Sequence, residues 1–257
     1  LYSLWKDGDY QSVYDSSSII LEHNPMNITA NIFHGYSSFF LALSQTDISN
    51  SQVLLDESIN NLRISLYYAD EDSLPQIYYM LGKAYFQKNT ISSYHYYSDL
   101  AVKYLELAKQ SGYVSSDIQE YLGLCYADLG LTEQSLSSFT EALLVRESDV
   151  LLLAIAQQYY KNLQYDIAKQ YLFRVNYESE DDDLVLKSKL LLADIYFAEG
   201  NFTDAQKEYE AILAKDDSVA DAYYGLGNIY EKLGDTAKAR SEWRKTLKVQ
   251  INHAGAI

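Results

Sequence analysis

The chain of 257 residues is 48% hydrophobic and carries 36 acidic against 20 basic side chains, for a formal charge of −16. Such a composition supplies apolar surface for a sizeable core. The negative charge argues against nucleic acid and anionic membranes as partners and suits a basic or neutral polypeptide, if it does more than keep the chain soluble. One cysteine, Cys125, cannot form an intrachain disulfide, and no run of about 18 apolar residues offers a membrane span.

Small residues recur at an interval near 34, and the units follow in chain order. Leu1, Leu4, Gly8 and Val13 open the series in a partial unit over 1–25, with a helix expected from Tyr10 to His23 and Pro25 where a helix must stop. Leu1 falls mid-helix in this pattern, so the chain reads as an excised piece. The second unit, 28–69, has Gly35 followed by Tyr36, Phe39, Phe40 and Leu41. Its return helix is predicted from Gln52 to Tyr68 on the spacing of Leu55, Ile59, Leu62 and Leu66. Gly35 to Gly82 is 47 residues, an excess assigned to the polar connection Ser44 to Ser51 and to longer helix ends.

A third unit, 75–111, begins at Pro75 behind Asp70, Glu71 and Asp72, which suit a first helical turn, and keeps Gly82, Tyr85 and Ala101. Gly82 to Gly123 is 41 residues, which places an aromatic insertion at Asn89 to Ser98, with Tyr94, Tyr96 and Tyr97. That insertion either extends a helix onto its neighbour, the preferred reading, or stands out as a binding loop. The fourth unit, 116–147, runs Gly123, Tyr126, Gly130, Ser135, Phe139. The fifth, 149–177, runs Ala156, Tyr159, Leu163, Ala168, Leu172, with leucine where its neighbours have a turn glycine, and it is followed by the acidic run Glu178 to Asp183. The sixth, 186–217, runs Ala193, Tyr196, Gly200, Ala205, Tyr209. The seventh, 220–251, runs Gly227, Tyr230, Gly234, Ala239, Trp243, and residues 252–257 are expected to begin a further helix.

Small, Tyr, Gly, Ala and aromatic at offsets of zero, three, seven, twelve and sixteen, repeated with a period near 34, resemble the tetratricopeptide repeat. The resemblance implies an all-α, right-handed superhelical solenoid of tandem antiparallel helix pairs over 1–257. Each helix of about 14 residues is too short to be stable alone, so stability must come from stacking. Gly or Ala at the crossings lets backbones approach, and the large rings fill the space between successive units.

In this family the first helix of each pair lines an inner wall that holds a peptide or helix, which implies a non-catalytic protein-binding scaffold. Spacing places Tyr36, Phe39, Phe40, Tyr79, Lys83, Phe86, Gln157, Tyr160, Phe197, Tyr224 and Asn228 on that wall as partner-binding residues. An equal alternative has the aromatic part, around Tyr36, Phe39, Phe40, Tyr79 and Phe86, covering the preceding unit or a capping helix. Lys83 and Asn228 stand four units apart, so a clamp for a chaperone's C-terminal carboxylate is not expected. Other readings are the recognition module of a larger enzyme or bacterial envelope-assembly protein, and self-association through terminal helices.

Chemistry is not expected. His23, His34, His95 and His253 lack metal-ligand spacing, Gly225-Leu226-Gly227 lacks a third glycine and a preceding strand, and Cys125 reads as a small buried thiol. The run Glu178 to Asp183 lacks the ligand pattern of a calcium loop and reads as a solvated lead into a helix. Asn27-Ile28-Thr29 and Asn201-Phe202-Thr203 are glycosylation triplets by letter only. Composition suggests a bacterial source, in cytoplasm or periplasm; no catalytic, metal or cofactor residue is assigned.

Overall fold

The computed structural model describes residues 1–92 and 97–256. Among these the chain is all-α, with fourteen helices and no strand. It divides into two compact units, Leu1–Arg146 and Glu147–Ile257.

The first unit contains α1 Tyr2–Lys6, α2 Tyr10–His23, α3 Ile28–Ser44, α4 Ile48–Ser65, α5 Leu74–Ile91, α6 Ser98–Gln110, α7 Ile118–Asp128 and α8 Thr132–Val145. Consecutive helices pack against one another, and the first helices α3, α5 and α7 also touch in succession. Side chains fix several helix starts: Asp9, Asn27 and Asp47 accept from the backbone N–H of Ser12, Ala30 and Ser49. Such a cap contributes about 1 kcal/mol by satisfying a donor that the helix leaves open. The residues in excess of the period after Gly35 lie mainly in long helices, α3 with 17 residues and α4 with 18, because the polar segment from Ile48 onward is helical behind the Asp47 cap. Only 45–47 remain as the connection. Of the aromatic insertion, Tyr94 and Tyr96 lie outside the described residues, as does His95, while Asn89 ends inside α5 and Tyr97 stands just before α6.

The second unit contains α9 Asp149–Lys161, α10 Tyr165–Glu178, α11 Asp182–Ala198, α12 Phe202–Lys215, α13 Ala220–Lys232 and α14 Thr236–Val249. Here α9 touches α11 and α11 touches α13, so the first helices again form one continuous face. The acidic run ends in a cap: Asp181 accepts from the N–H groups of Asp183 and Leu184, with Asp182 and Asp183 in the first turn of α11, where the helix dipole favours carboxylates. Asn201 caps α12 in the same way, and Asn27 caps α3, which gives both asparagines of the glycosylation triplets a structural role. The further helix expected from residue 252 does not form. Residues 251–256 make turns in which His253 and Ala256 bond back to Gln250 and His253, and His253 is anchored on Asp221 instead of continuing a helical register.

Close approach explains the small residues. A Cβ on Gly123 would stand 2.4 Å from the ring of Phe139, and one on Gly227 2.4 Å from Trp243, so the aromatic of each pair rests directly on the backbone of its partner helix. Turns inside the pairs are left-handed: Gly130, Gly200 and Gly234 have φ of 72°, 78° and 84°. Leu163, at the corresponding place in the α9–α10 turn, is held at φ 58° although it bears a side chain. The fold therefore imposes the left-handed turn even where the sequence does not supply glycine.

Candidate functional site

The first helices of the two units present different faces. In unit 1 the aromatic residues expected on an open wall are largely covered by the chain itself. Tyr36, Phe39 and Tyr79 are buried, at 4%, 2% and 8% exposure, and belong to the hydrophobic core; their placement on a partner surface is corrected accordingly. Tyr36 and Phe40 are covered by the short N-terminal hairpin, and Tyr79 by Tyr113, stacked 4.6 Å from its ring. Trp5 of α1 packs its ring 5.5 Å from Tyr36 and 5.6 Å from Phe40, and Tyr10 of α2 stacks on Phe40 at 4.5 Å. Phe40 and Phe86 remain half-buried, Phe86 edge-on to Tyr121 at 4.8 Å.

Lys83 is also engaged internally. Its Nζ lies 3.2 Å from Asp117 and donates to the Tyr79 hydroxyl at 3.1 Å, over the rings of Tyr79 and Tyr121 at 5.1 Å each. Tyr79 donates its own O–H to Asp117 at 2.7 Å, and Ser115 donates to the same carboxylate. Burial would raise the Asp117 carboxyl, but the hydrogen bonds from Ser115 and Tyr79 and the charge of Lys83 outweigh it and hold the group below its ordinary value. Unit 1 thus contains a cation, a carboxylate and aromatic walls that satisfy one another.

In unit 2 the corresponding face is open. Tyr160 of α9, Asp194, Phe197 and Ala198 of α11, and Tyr224 and Asn228 of α13 line a cavity of about 540 Å³, completed by Leu190, Tyr209, Asp221, Gly225, His253 and Gly255. Four residues placed on the inner wall from spacing, Tyr160, Phe197, Tyr224 and Asn228, are brought together here. Gln157 is exposed, one turn from Tyr160, outside the cavity lining.

Contacts around the cavity are specific. The Tyr209 hydroxyl donates to Asp194 Oδ1 at 2.6 Å, and Tyr209 fits because Gly225 has no side chain: a Cβ there would stand 2.2 Å from its ring. Trp243 Nε1 donates to Asn228 Oδ1 at 3.2 Å, fixing the orientation of that amide. His253 Nε2 lies 2.8 Å from Asp221 Oδ1, its ring 4.8 Å from that of Tyr224. Burial, above all, pushes the Asp194 carboxyl above its ordinary value; the Tyr209 hydrogen bond opposes this and the nearby Asp221 adds to it. Tyr209, Asp221 and His253 were missed by the spacing argument, because it considered only the inward faces of first helices. Tyr209 arrives from a second helix, Asp221 from a helix start, and His253 from the turns after α14.

His34 and Cys125 are committed to structure. His34 is buried, with Nδ1 3.0 Å from Ser17 Oγ and Nε2 3.6 Å from Glu57, and burial lowers its affinity for a proton despite that carboxylate. Cys125 is fully buried and burial pushes its thiol up to about 12, so it is no nucleophile at neutral pH. Among the described residues no group of three His, Cys, Asp or Glu side chains is disposed to hold a metal ion, and no helix is long and apolar enough to cross a membrane.

With this geometry in place, comparisons locate the chain among known proteins. A family model described as tetratricopeptide repeat matches residues 190–248, which span most of α11 through α14. No match is found among curated proteins. Among solved structures, the C-terminal part of a TPR repeat-containing protein from Cytophaga hutchinsonii superposes with a TM-score of 0.65 at 13% identity, over 98% of this chain and 95% of that one. YrrB, described as a TPR protein with an unusual peptide-binding site, gives 0.55 at 19% identity, over 76% of this chain and 95% of its own. MamA gives 0.56 at 18%, over 71% and 95%. At these identities the likeness is one of fold.

Proposed function

We propose that this tetratricopeptide-repeat chain is a non-catalytic scaffold that holds a peptide or helical segment of another protein on the α9–α11–α13 face of its second unit. The observation that carries the reading is the half-open aromatic cavity there. Tyr160, Phe197 and Tyr224 are only partly buried, whereas Tyr36, Phe39 and Tyr79 of the first unit belong to its core. Rings left partly wet are surface that a partner can remove from water, and such amphipathic rings are characteristic anchors of protein interfaces. A cavity within the range of about 300–1,000 Å³ has room for one or two anchoring side chains.

The proposal keeps the division into repeat units read from the sequence and moves the contact residues to Tyr160, Phe197, Tyr224 and Asn228. Phe40 and Phe86 are left as secondary candidates. Selection from a displayed library of random peptides on the intact chain, followed by calorimetric titration, tests it. Peptides should bind with micromolar Kd, about −8 kcal/mol, and Tyr160→Ala/Phe197→Ala should weaken them by about 10-fold or more without abolishing the thermal transition. Absence of any selected peptide, or affinities indifferent to the double substitution, would overturn the reading.

A further inference from the structure

We propose that the unit 2 cavity reads arginine: it receives the guanidinium of a peptide side chain, with Asp194 and Asp221 as counter-charges and the rings of Tyr160, Phe197 and Tyr224 as walls. The inference rests on the scaffold reading for the peptide and adds what that peptide must carry.

Repeat register supplies the first argument. Lys83 stands one residue after the crossing Gly82, and Asp117 six residues before Gly123. The same two register positions in unit 2 are Asp194, one after Ala193, and Asp221, six before Gly227. Unit 1 therefore carries its own cation against a carboxylate and aromatic rings. In unit 2 the carboxylate is kept, a second carboxylate replaces the cation, and no Lys or Arg lines the cavity. The first site is a closed intramolecular version of what the second leaves open to a ligand.

Hydrogen-bonding capacity is the second argument, and it is independent of charge. His253 is 8% exposed, lines the cavity and keeps Nδ1 without a hydrogen-bond partner, while its Nε2 is held by Asp221. With the proton on Nε2, Nδ1 is an acceptor. Asp194 accepts one hydrogen bond from Tyr209 through Oδ1, and its carboxylate retains further acceptor capacity. The cavity thus offers acceptors at Asp194 and Asp221 together with ring faces, with the His253 ring in its wall. Guanidinium matches that set, because it has five N–H donors, no acceptor, and a flat surface that stacks on aromatic rings. An ammonium group offers three donors and no stacking plane, so lysine fits less well. Asn228, whose Oδ1 is occupied by Trp243, presents its NH₂ as a donor suited to the carbonyl of the peptide backbone.

Trp243 provides the readout, because its indole N–H donates to a residue of the cavity wall. The intact chain is titrated with N-acetyl-arginine amide, with the uncharged isostere N-acetyl-citrulline amide, and with N-acetyl-lysine amide, following that indole N–H resonance. The arginine derivative should shift it in a saturable manner, with citrulline weaker by about 10-fold or more and lysine intermediate. Asp194→Asn keeps an oxygen for the Tyr209 hydroxyl and should weaken arginine by about 10-fold without lowering Tm. Should that variant fold poorly, Asp221→Asn at the exposed carboxylate gives a second reading, with a smaller loss expected.

Equal binding of citrulline and arginine, or an unchanged titration in both variants, would overturn the proposal. Selected peptides that lack arginine and bind Asp194→Asn as well as the unsubstituted chain would overturn it too, leaving the scaffold reading intact. Saturable arginine binding with no peptide selected would support the pocket and overturn the scaffold.

Discussion

Asp117 in the first unit and Asp194 in the second are both half-buried carboxylates beside tyrosine hydroxyls, yet their proton affinities move in opposite directions. The difference lies in the hydrogen bonds and the cation around each. Asp117 has Lys83 at 3.2 Å and hydrogen bonds from Ser115 and Tyr79, which outweigh its desolvation. Asp194 has one hydrogen bond, from Tyr209, and its neighbouring charge is another carboxylate. A repeat fold needs the small crossing residues and the packing rings at every unit, but nothing in the stacking requires a particular charge beside the crossing. That position is free to close a unit on itself or leave it open to a partner.

The sharpest break in the comparison comes from the rings. Phe39→Ala empties a fully packed position of unit 1 and should destabilise the protein by about 3–5 kcal/mol. Phe197→Ala removes a half-exposed ring and should cost about 1 kcal/mol, while weakening peptide binding. Denaturant unfolding of both variants checks the contrast, and a similar cost at the two sites would show that the unit 2 face is core as well.

Charge removal comes next. Asp117→Asn leaves Lys83 without its counter-charge and should cost about 1–3 kcal/mol at neutral pH. Asp194→Asn removes a carboxylate whose ionised form burial disfavours, and should leave Tm unchanged or raised. The pH dependence has opposite signs as well. Asp117, with its folded value lowered, contributes stability that is present above the ordinary aspartate value and lost as pH falls through the folded one. Asp194, with its folded value raised, contributes most below the ordinary value and loses that contribution as pH rises through the folded one. Around Asp194 the other titratable groups are Tyr160 of α9, Tyr209 of α12, Asp221 and Tyr224 of α13 and His253 beyond α14. Arginine binding should weaken on acidification, since protonation of Asp194 removes negative charge from the cavity. Melting curves of the two Asn variants from pH 3 to about pH 8 cover the usual carboxylate range.

The smallest effect concerns the turn. Leu163 is 71% exposed and sits at φ 58°, so Leu163→Gly relieves a strained backbone while giving up little burial. A left-handed conformation costs a residue bearing a side chain about 1–2 kcal/mol, offset in part by the greater entropy of unfolded glycine. A net gain of about 0.5–1 kcal/mol in unit 2 follows, measurable as a raised denaturation midpoint.

Leu163 also shows why the fold was legible in the sequence. Three of the five offsets, Ala156, Tyr159 and Ala168, survived around it, so the pair could be placed although the turn glycine was missing, and the structure imposes the same left-handed turn. Spacing reports which positions lie near a crossing, and Gly123, Ala193 and Gly227 were found in this way. The site was less legible, for two physical reasons. Helical spacing tells which face a residue is on but not whether another part of the chain covers it, and Trp5, on a five-residue helix, covers Tyr36 and Phe40. Nor does a pattern built on first helices report residues that arrive from elsewhere, as His253 does from the turns beyond α14. Asp194 directly follows the crossing Ala193 in the sequence; that no Lys or Arg lines its cavity is visible only in three dimensions.

The most direct test of that central difference follows the side-chain carboxyl carbons of Asp117 and Asp194 by NMR across the acid range, with and without N-acetyl-arginine amide. The account predicts a midpoint below the ordinary aspartate value for Asp117, one above it for Asp194, and a fall in the Asp194 midpoint alone when the arginine derivative is present. Coincident midpoints, the reverse order, or an Asp194 midpoint indifferent to arginine would contradict it.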